Sequence, residues 1–231
     1  MKAPLLGKGL RALAALCYPQ NTCCHLCGQP LLEPGEAWLC APCQEALARE
    51  ALSPQEQPFF LSGALPCSWA AFAHHGAARE LAHRLKYGDD HWAARPLAQG
   101  MAAVFALADA SALAQGEVLI PVPLHPKRQR LRGFNQAEVL CRALALHLKL
   151  PVAPQALRRL RATRSQVGLD LAQRQRNMRG AFEVADVAAV YGKRVLLVDD
   201  VCTTGATASA CAQALKACGA KEALLFTACK A

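Results

Sequence analysis

The hydrophobic pattern near the carboxy terminus predicts a unit of strand, turn and helix. Val195–Val198 form an unbroken apolar run, which is typical of a strand buried on both faces in a parallel sheet. Asp199 and Asp200 stand where this strand is expected to end. A short turn of hydroxyl residues and glycine follows, and the segment Ala208–Cys218 is then predicted to be a helix.

The remaining apolar runs predict more strand and helix units. The predicted strands are Ser68–His74, Glu117–Val122, Gln155–Arg161, Phe182–Val184 and Glu222–Thr227. The predicted helices are Ala77–Tyr87, Trp92–Ala108 and Gln136–Leu148, and a further helix follows the second CxxC pair before a proline-containing linker. We therefore expect an α/β fold built on a parallel sheet.

The turn after the acidic pair has the composition of a phosphate site. It consists of Thr203, Thr204, Gly205, Ala206 and Thr207. The first N–H groups of a helix lack backbone partners and bind anions, and glycine allows a close approach of the backbone. The aspartates suit sugar hydroxyls better than phosphate, so the pattern suggests a ribose 5-phosphate. The alternative is an ordinary loop with two solvated acids and a capping threonine.

A second strand and helix pair is joined by the basic segment LHPKRQRLRGFNQ. Its basic residues are Lys127, Arg128, Arg130 and Arg132, and Gly133 follows them. Positive charge with a glycine at a helix entrance suits a pyrophosphate. Asn135 and Gln136 are equally compatible with capping this helix and with contacting a ligand.

Two CxxC pairs near the amino terminus predict a metal site. The thiols belong to Cys24, Cys27, Cys40 and Cys43, with twelve residues between the pairs. This spacing favours a structural Zn²⁺ with four thiolate ligands over redox pairs or free thiols. Cys23 and His25 lie next to the first pair and are alternative ligands.

Charge points to an anionic partner. The chain of 231 residues has a net charge of +9, and residues 124–180 contain thirteen basic and two acidic residues. This imbalance favours a phosphorylated small molecule or nucleic acid as the partner.

The chain has twelve cysteines, so its cellular compartment decides whether they are expected to form disulfides or to remain reduced. No convincing signal peptide or transmembrane segment is present, so we expect a cytoplasmic protein with reduced thiols. The amphipathic segment Met1–Pro19 is interpreted as a packing helix, with a membrane-surface helix as the alternative.

Four motifs carry a family resemblance. VLLVDDVCTTGAT resembles the phosphoribosyl pyrophosphate (PRPP) motif of type I phosphoribosyltransferases. With the double CxxC, PVPLHPKRQRLRGFNQ and the segment Thr163–Asn177, the order of motifs resembles the ComF/GntX family of competence proteins over nearly the whole chain. Some relatives carry a further CxxC, whereas this chain has only Cys67 at that place.

The resemblance implies two domains: residues 1–66, with a zinc finger and linker, and residues 67–231, a phosphoribosyltransferase-like domain. It implies that Asp199 and Asp200 hold the ribose hydroxyls in a catalytic role, that Thr203–Thr207 bind the 5-phosphate, and that Arg132 and Gly133 bind the pyrophosphate of PRPP with Mg²⁺. The segment Thr163–Asn177 would form the hood loop over the ligand.

The implied role is DNA uptake in natural transformation, with competence-machinery proteins as partners. An active protein would be a phosphoribosyltransferase, but no segment identifies an acceptor. Two alternatives stay open: an accessory protein that binds single-stranded DNA or other nucleic acid, and a PRPP sensor without turnover.

Overall fold

The computed structural model describes residues 22–31, 37–53, 57–59, 61, 65, 67–87, 90–108, 112–161 and 180–231. Two predicted segments lie outside the described residues: the amino-terminal helix Met1–Pro19 and the hood loop Thr163–Asn177.

The larger sheet has four strands, all parallel, in the order β1-β6-β5-β2. Its strands are β1 (Ser68–Ala73), β2 (Val118–Pro121), β5 (Arg194–Cys202) and β6 (Glu222–Lys230). A second sheet pairs β3 (Leu157–Arg159) with β4 (Phe182–Val184) in antiparallel fashion. The predicted α/β fold with a parallel sheet is confirmed.

Helices cover both faces of the larger sheet. They are α1 (Ala41–Ala48), α2 (Gly76–Tyr87), α3 (Ala94–Leu107), α4 (Pro126–Arg132), α5 (Gln136–Leu148) and α6 (Ala206–Ala217), with a 3-10 turn at His91–Ala93. Leu81, Leu97 and Leu140 of α2, α3 and α5 are fully buried on one face. Leu215 of α6 is fully buried on the other face. None of the helices in the described ranges combines the length and apolarity needed to cross a bilayer.

Strand β5 differs from the prediction at its carboxyl end. Asp199 and Asp200 lie within the strand, because its ladder with β6 continues to Cys202. The partner β6 is longer than predicted and runs to Lys230. Pairing with a long central neighbour outweighs the low strand propensity of aspartate. Successive strand residues point to opposite faces, so the two carboxylates leave the strand on different sides.

The basic segment before α5 was predicted to be a loop and contains the short helix α4 instead. Pro126 occupies the first turn, where its missing N–H costs nothing, and the His125 side chain accepts a hydrogen bond from Lys127 N. Gly133 ends the helix in the left-handed conformation, with φ of 83°. The segment therefore projects its basic side chains from a helical turn.

Both outer strands of the larger sheet have further backbone partners. Ala51 bridges Phe72 of β1, and Phe59 bridges Ser68. At the opposite edge, Val152 bridges Leu119 of β2. The chain itself therefore covers the N–H and C=O groups that an edge strand would otherwise expose.

Candidate functional site

The acidic pair lies at the carboxyl end of β5, the edge at which parallel α/β sheets bind ligands. Asp200 is 2% exposed, and its Oδ2 lies 2.8 Å from Nζ of Lys86 on α2. Burial disfavours the charged form of Lys86, but the neighbouring Asp200 and Asp199 outweigh it and raise the pKa of the lysine. Asp200 is therefore held as the buried half of an ion pair.

Asp199 has a different environment. Its residue is half-buried, and its Oδ1 accepts a hydrogen bond from the backbone N–H of Asp200 at 2.9 Å. Burial and the adjacent Asp200 carboxylate raise the pKa of Asp199 well above its usual value, and Lys86 opposes this shift. The pair thus combines one salt-bridged carboxylate with one that readily takes up a proton.

The turn after β5 leads directly into α6. Gly205 is the N-cap residue in the left-handed conformation, with φ of 69°, and no side chain caps the helix. A Cβ at this position would come within 2.4 Å of Leu61 Cδ1, so a larger residue would strain the backbone and require the Leu61 side chain to move. Among the described residues, the Oγ1 of Thr204 is buried and has no hydrogen-bond partner. A buried hydroxyl without a partner next to an uncapped helix amino terminus is suited to an oxyanion.

The basic segment meets the end of α2. The Arg132 guanidinium lies over the ring of Tyr87, 5.3 Å from its centroid, and donates a hydrogen bond to Gln136 Oε1. Tyr87 directly follows Lys86, so the basic segment contacts the same end of α2 that carries the lysine paired with Asp200. Asn135 caps α5, since its Oδ1 accepts from Ala137 N at 3.1 Å. Between the two open interpretations of Asn135, the structure shows capping.

Lys86 is the residue that sequence reasoning underrated. Lys86 and Tyr87 precede a glycine turn, and the sequence alone is compatible both with contact to the ligand and with a surface pair, of which the surface pair is the simpler interpretation. Tyr87 is indeed 69% exposed, whereas the Lys86 side chain is 25% exposed and faces Asp200. The helical spacing contained a signal, because Lys86 lies four residues after the buried position Ala82 and therefore on the same side of the helix.

The four CxxC thiols converge on one point. The Sγ atoms of Cys24, Cys27, Cys40 and Cys43 all lie within 4.8 Å of one another, and those of Cys27 and Cys40 are 3.6 Å apart. A tetrahedral ion with Zn–S bonds of about 2.3 Å requires S–S separations of about 3.8 Å, so the cluster fits such an ion. Burial opposes ionisation of Cys24, but backbone N–H groups, led by that of Cys27, lower its pKa to about 6. A metal-binding cluster at this place was predicted.

Neither alternative ligand joins the cluster. The His25 Nδ1 lies 3.1 Å from Asp90 Oδ2, so this ring nitrogen is already engaged. Cys23 is exposed and bridges Pro30 through its backbone. All cysteines of the described ranges are free thiols rather than disulfides.

Comparisons with known proteins agree with this architecture. The phosphoribosyl transferase domain family matches residues 139–231. Competence protein F of Haemophilus influenzae is 36% identical over 146 residues, which cover 62% of this chain and 63% of that protein. DNA utilization protein YhgH of Escherichia coli O157:H7 is 38% identical over 112 residues, which cover 48% of each chain. The chain thus spans less than two thirds of the first relative and about half of the second.

A distant structural similarity is also found. The glutamine PRPP amidotransferase from B. subtilis, complexed with ADP and GMP, aligns with a TM-score of 0.41 and 17% identity over 64% of this chain and 30% of that chain. This similarity is too low to inform function. The sequence relatives and the domain match confirm the predicted resemblance to the ComF/GntX family and its phosphoribosyltransferase-like domain.

Proposed function

We propose that this chain, a relative of competence protein F with a phosphoribosyl transferase domain, binds PRPP or a related phosphoribosyl ligand at the carboxyl end of β5. The observation that supports this most is the juxtaposition of two elements. Asp199 and Asp200 lie in the carboxy-terminal part of β5, and the buried hydroxyl of Thr204, which has no hydrogen-bond partner among the described residues, lies at the uncapped start of α6. Sugar hydroxyls donate to carboxylates, and phosphate oxygens accept from N–H and O–H groups.

Each group then has a distinct role in the proposal. Asp199 and Asp200 orient the ribose, and the turn Thr203–Thr207 holds the 5-phosphate. Lys86 pairs with Asp200 and Arg132 lies over the adjacent Tyr87; both are assigned to the pyrophosphate, where they would stabilise the charge that grows on it as it departs. Gly133 ends α4 without a side chain, which leaves room for the ligand above the helix end.

The proposed Mg²⁺ would arrive with PRPP and be held mainly by ligand oxygens and water. The residues present fit this arrangement, because Asp200 is already paired with Lys86 and leaves Asp199 as the carboxylate beside it. The ion would supply charge neutralisation for the pyrophosphate.

Calorimetric titration with PRPP and with ribose 5-phosphate tests the binding proposal. Replacing both aspartates by Asn should weaken PRPP binding by about 100-fold, because hydrogen bonds to charged groups contribute about 1.5–3 kcal/mol each. Thr204→Val should weaken both ligands alike, since both carry the 5-phosphate. Undiminished binding by a folded double Asn variant would refute the assignment.

Turnover is a separate question. We propose phosphoribosyl transfer as the reaction if the protein is active, with release of pyrophosphate from PRPP in the presence of a panel of nucleobases as the assay. Binding of PRPP without pyrophosphate release would instead favour the PRPP sensor.

A role in DNA uptake is proposed from the names of two relatives, competence protein F and DNA utilization protein YhgH. Direct nucleic-acid binding is the second candidate function, and a specific surface favours it. Lys127, Arg128 and Arg130 of α4 are exposed, as is Arg161 just after β3, whereas Arg158 of β3 is paired with Glu183. This basic surface would hold phosphates without reading sequence. Competence-machinery proteins remain proposed partners.

We also propose a domain boundary near residue 66, between the amino-terminal zinc finger with its linker and the phosphoribosyltransferase-like domain, with Zn²⁺ as the structural ion of the four-cysteine cluster. The four converging thiols support the ion, since four thiolates leave no position for water. Free thiols in the described ranges agree with a proposed cytoplasmic location.

A further inference from the structure

Helix α2 is held at both ends by the cysteine module, which we define as residues 22–50 as far as the structure describes them. The amino-terminal end contacts Glu50, the last residue of the module. Its Oε1 accepts from Ala77 N at 2.8 Å, and its Oε2 accepts from Ala78 N at 2.7 Å. Glu50 is 9% exposed, so a buried carboxylate satisfies two helix N–H groups that lack backbone partners.

The fit of this carboxylate is tight. Gly76 begins α2 with φ of 43°, and a Cβ there would come within 2.0 Å of Glu50 Oε1. The backbone is tied as well, because Ala73 N donates to Glu50 O at 2.9 Å. His75 is the other titratable group nearby, with Nδ1 3.6 Å from Oε1. Glu50 therefore fixes where α2 begins relative to the module.

The carboxy-terminal part of α2 contacts the first CxxC knuckle. Arg84 Nη1 donates to the backbone oxygen of His25 at 3.3 Å. The His25 ring pairs with Asp90, and Asp90 in turn accepts from Trp92 N at 3.1 Å, after the helix has ended. Two independent parts of the module thus bracket the segment that presents Lys86.

Packing of the apolar face of α2 fixes the rotation of the helix but not its position along its own axis. Leu81 and Leu85 are fully buried, which sets the rotation of the helix against the sheet. Sliding along the helix axis is opposed by polar contacts at its ends. A small axial shift would separate Lys86 Nζ from Asp200 Oδ2, which are 2.8 Å apart.

We propose that the cysteine module serves to position α2, and that Glu50 is the positioning residue that holds Lys86 against the acidic pair. This function concerns the ligand site rather than contact with nucleic acid. Only its consequence for PRPP binding rests on the proposed function above. The placement of Lys86 itself can be tested without any ligand.

The test compares the reactivity of the Lys86 amine with acetic anhydride, followed by mass spectrometry, in the intact chain. Glu50→Gln removes the capping charge with little change of shape. Glu45→Gln is the matched control, because Glu45 is in the same module and its side chain is 71% exposed. We expect Lys86 to react about fivefold faster in Glu50→Gln and at the parent rate in Glu45→Gln, since loss of the Asp200 partner frees the amine. The exposed Lys216 on α6 should react alike in all three proteins.

Equal Lys86 reactivity in folded Glu50→Gln and Glu45→Gln would overturn the proposal. If Glu50→Gln does not fold, Asp90→Asn removes the ion pair with His25 near the carboxy-terminal end of α2. This variant must then produce the same selective increase in the reactivity of the Lys86 amine.

The ligand arm uses PRPP titration of parent, Glu50→Gln, Lys86→Met and the double variant. Glu50→Gln should weaken binding about fivefold in the parent and have no further effect when Lys86 is absent, which a general loss of stability would not produce. Additive effects of Glu50→Gln and Lys86→Met on PRPP affinity would contradict the proposal that Glu50 acts through Lys86. If the parent does not bind PRPP but Glu50→Gln still makes Lys86 more reactive, the proposed function fails and the positioning role stands. If the parent binds PRPP but Lys86 reactivity is the same in Glu50→Gln and Glu45→Gln, only the positioning role fails.

Discussion

The ammonium group of Lys86 lies 2.8 Å from the buried Asp200 carboxylate, so a lysine at the end of α2 neutralises the acidic pair of β5. Two elements that are far apart in the sequence thereby meet at one edge of the sheet. The contact makes the local charge balance of the site depend on the position of a helix.

Lys86→Met should reduce the free energy of unfolding by about 3 kcal/mol, because it leaves a buried carboxylate without its partner. Urea denaturation measures the change. The double variant Lys86→Met with Asp200→Asn should recover most of the loss, since residue 200 then carries no charge that needs the lysine as its partner. Lys216→Met, at an exposed position, serves as the control. A loss in the double variant equal to the sum of the single losses would contradict the pairing.

Affinity for PRPP should fall as the pH is lowered through the raised pKa of Asp199. Burial and Asp200 cause that rise, and the protonated carboxyl accepts ribose hydroxyls poorly. Calorimetry over a pH series measures the profile. Asp199→Asn serves as the control for titration of the ligand itself, and its profile should lack the step that Asp199 causes. A parent profile identical in shape to that of the variant would contradict the role of Asp199.

The same shift predicts the effect of pH on stability. The folded state favours neutral Asp199, so ionisation costs stability above the raised folded pKa, and this cost disappears as the pH falls toward the ordinary value of 3.8. Asp199→Asn should therefore raise the free energy of unfolding at neutral pH while it weakens the ligand. Thermal melts of the parent and of Asp199→Asn at neutral and acidic pH measure the difference in stability. A variant that is less stable than the parent at neutral pH would contradict the predicted cost of ionising Asp199.

Gly205→Ala should destabilise the protein more than Gly192→Ala. Both glycines have positive φ, of 69° and 72°, but only Gly205 has a neighbour, Leu61, where the new methyl group would lie. We expect a loss of about 1 kcal/mol at Gly192 from backbone conformation and about 3 kcal/mol at Gly205 from conformation and contact together. Chemical denaturation measures both, and Leu61→Ala should relieve part of the loss at Gly205.

Metal removal should destabilise the cysteine module. Purified protein should contain about one zinc ion per chain by elemental analysis, because the four thiols fit a closed tetrahedral site. Cys43→Ser should lose the ion and lower the melting temperature, since structural zinc contributes directly to folding. Cys67→Ser, outside the cluster, should retain both. Metal-free protein with an unchanged melting temperature would show that the thiols do not hold an ion.

Single-stranded DNA binding should depend on the exposed arginines of α4. Arg128→Gln with Arg130→Gln should reduce the slope of log affinity against log salt by about 1.4, because single strands release about 0.7 counterions per phosphate contact. Arg142→Gln removes one positive charge, which is already paired with Glu138 on α5, and should change the slope little. Equal slopes in all three proteins would remove α4 from a nucleic-acid surface.

The local elements of this fold were accessible from the sequence. The apolar run Val195–Val198 lies in a buried central strand, and the helix predicted at Gln136–Leu148 has those bounds. Such elements follow from periodicity and caps, which are properties of neighbouring residues. The convergence of the four CxxC thiols was accessible for the same reason, since the ligand spacing is itself local.

The contacts of the site were not accessible in the same way. The sequence does not show that β5 continues through Asp199 and Asp200, because this depends on the length of its partner β6. It also does not show that Lys86 faces Asp200 or that Glu50 caps α2. These pairs join distant segments and require the packed arrangement of α2 on the sheet, which no local pattern encodes.

The covered edges of the larger sheet restrict how other proteins can bind. Since Ala51 and Phe59 flank β1 and Val152 flanks β2, an incoming extended peptide would have to displace part of this chain before it could join the ladder. Recruitment by strand addition is thereby disfavoured. A macromolecule that binds at this sheet would instead have to recognise side chains on the helices and turns around it, so its specificity there would be set by surface chemistry rather than by main-chain complementarity.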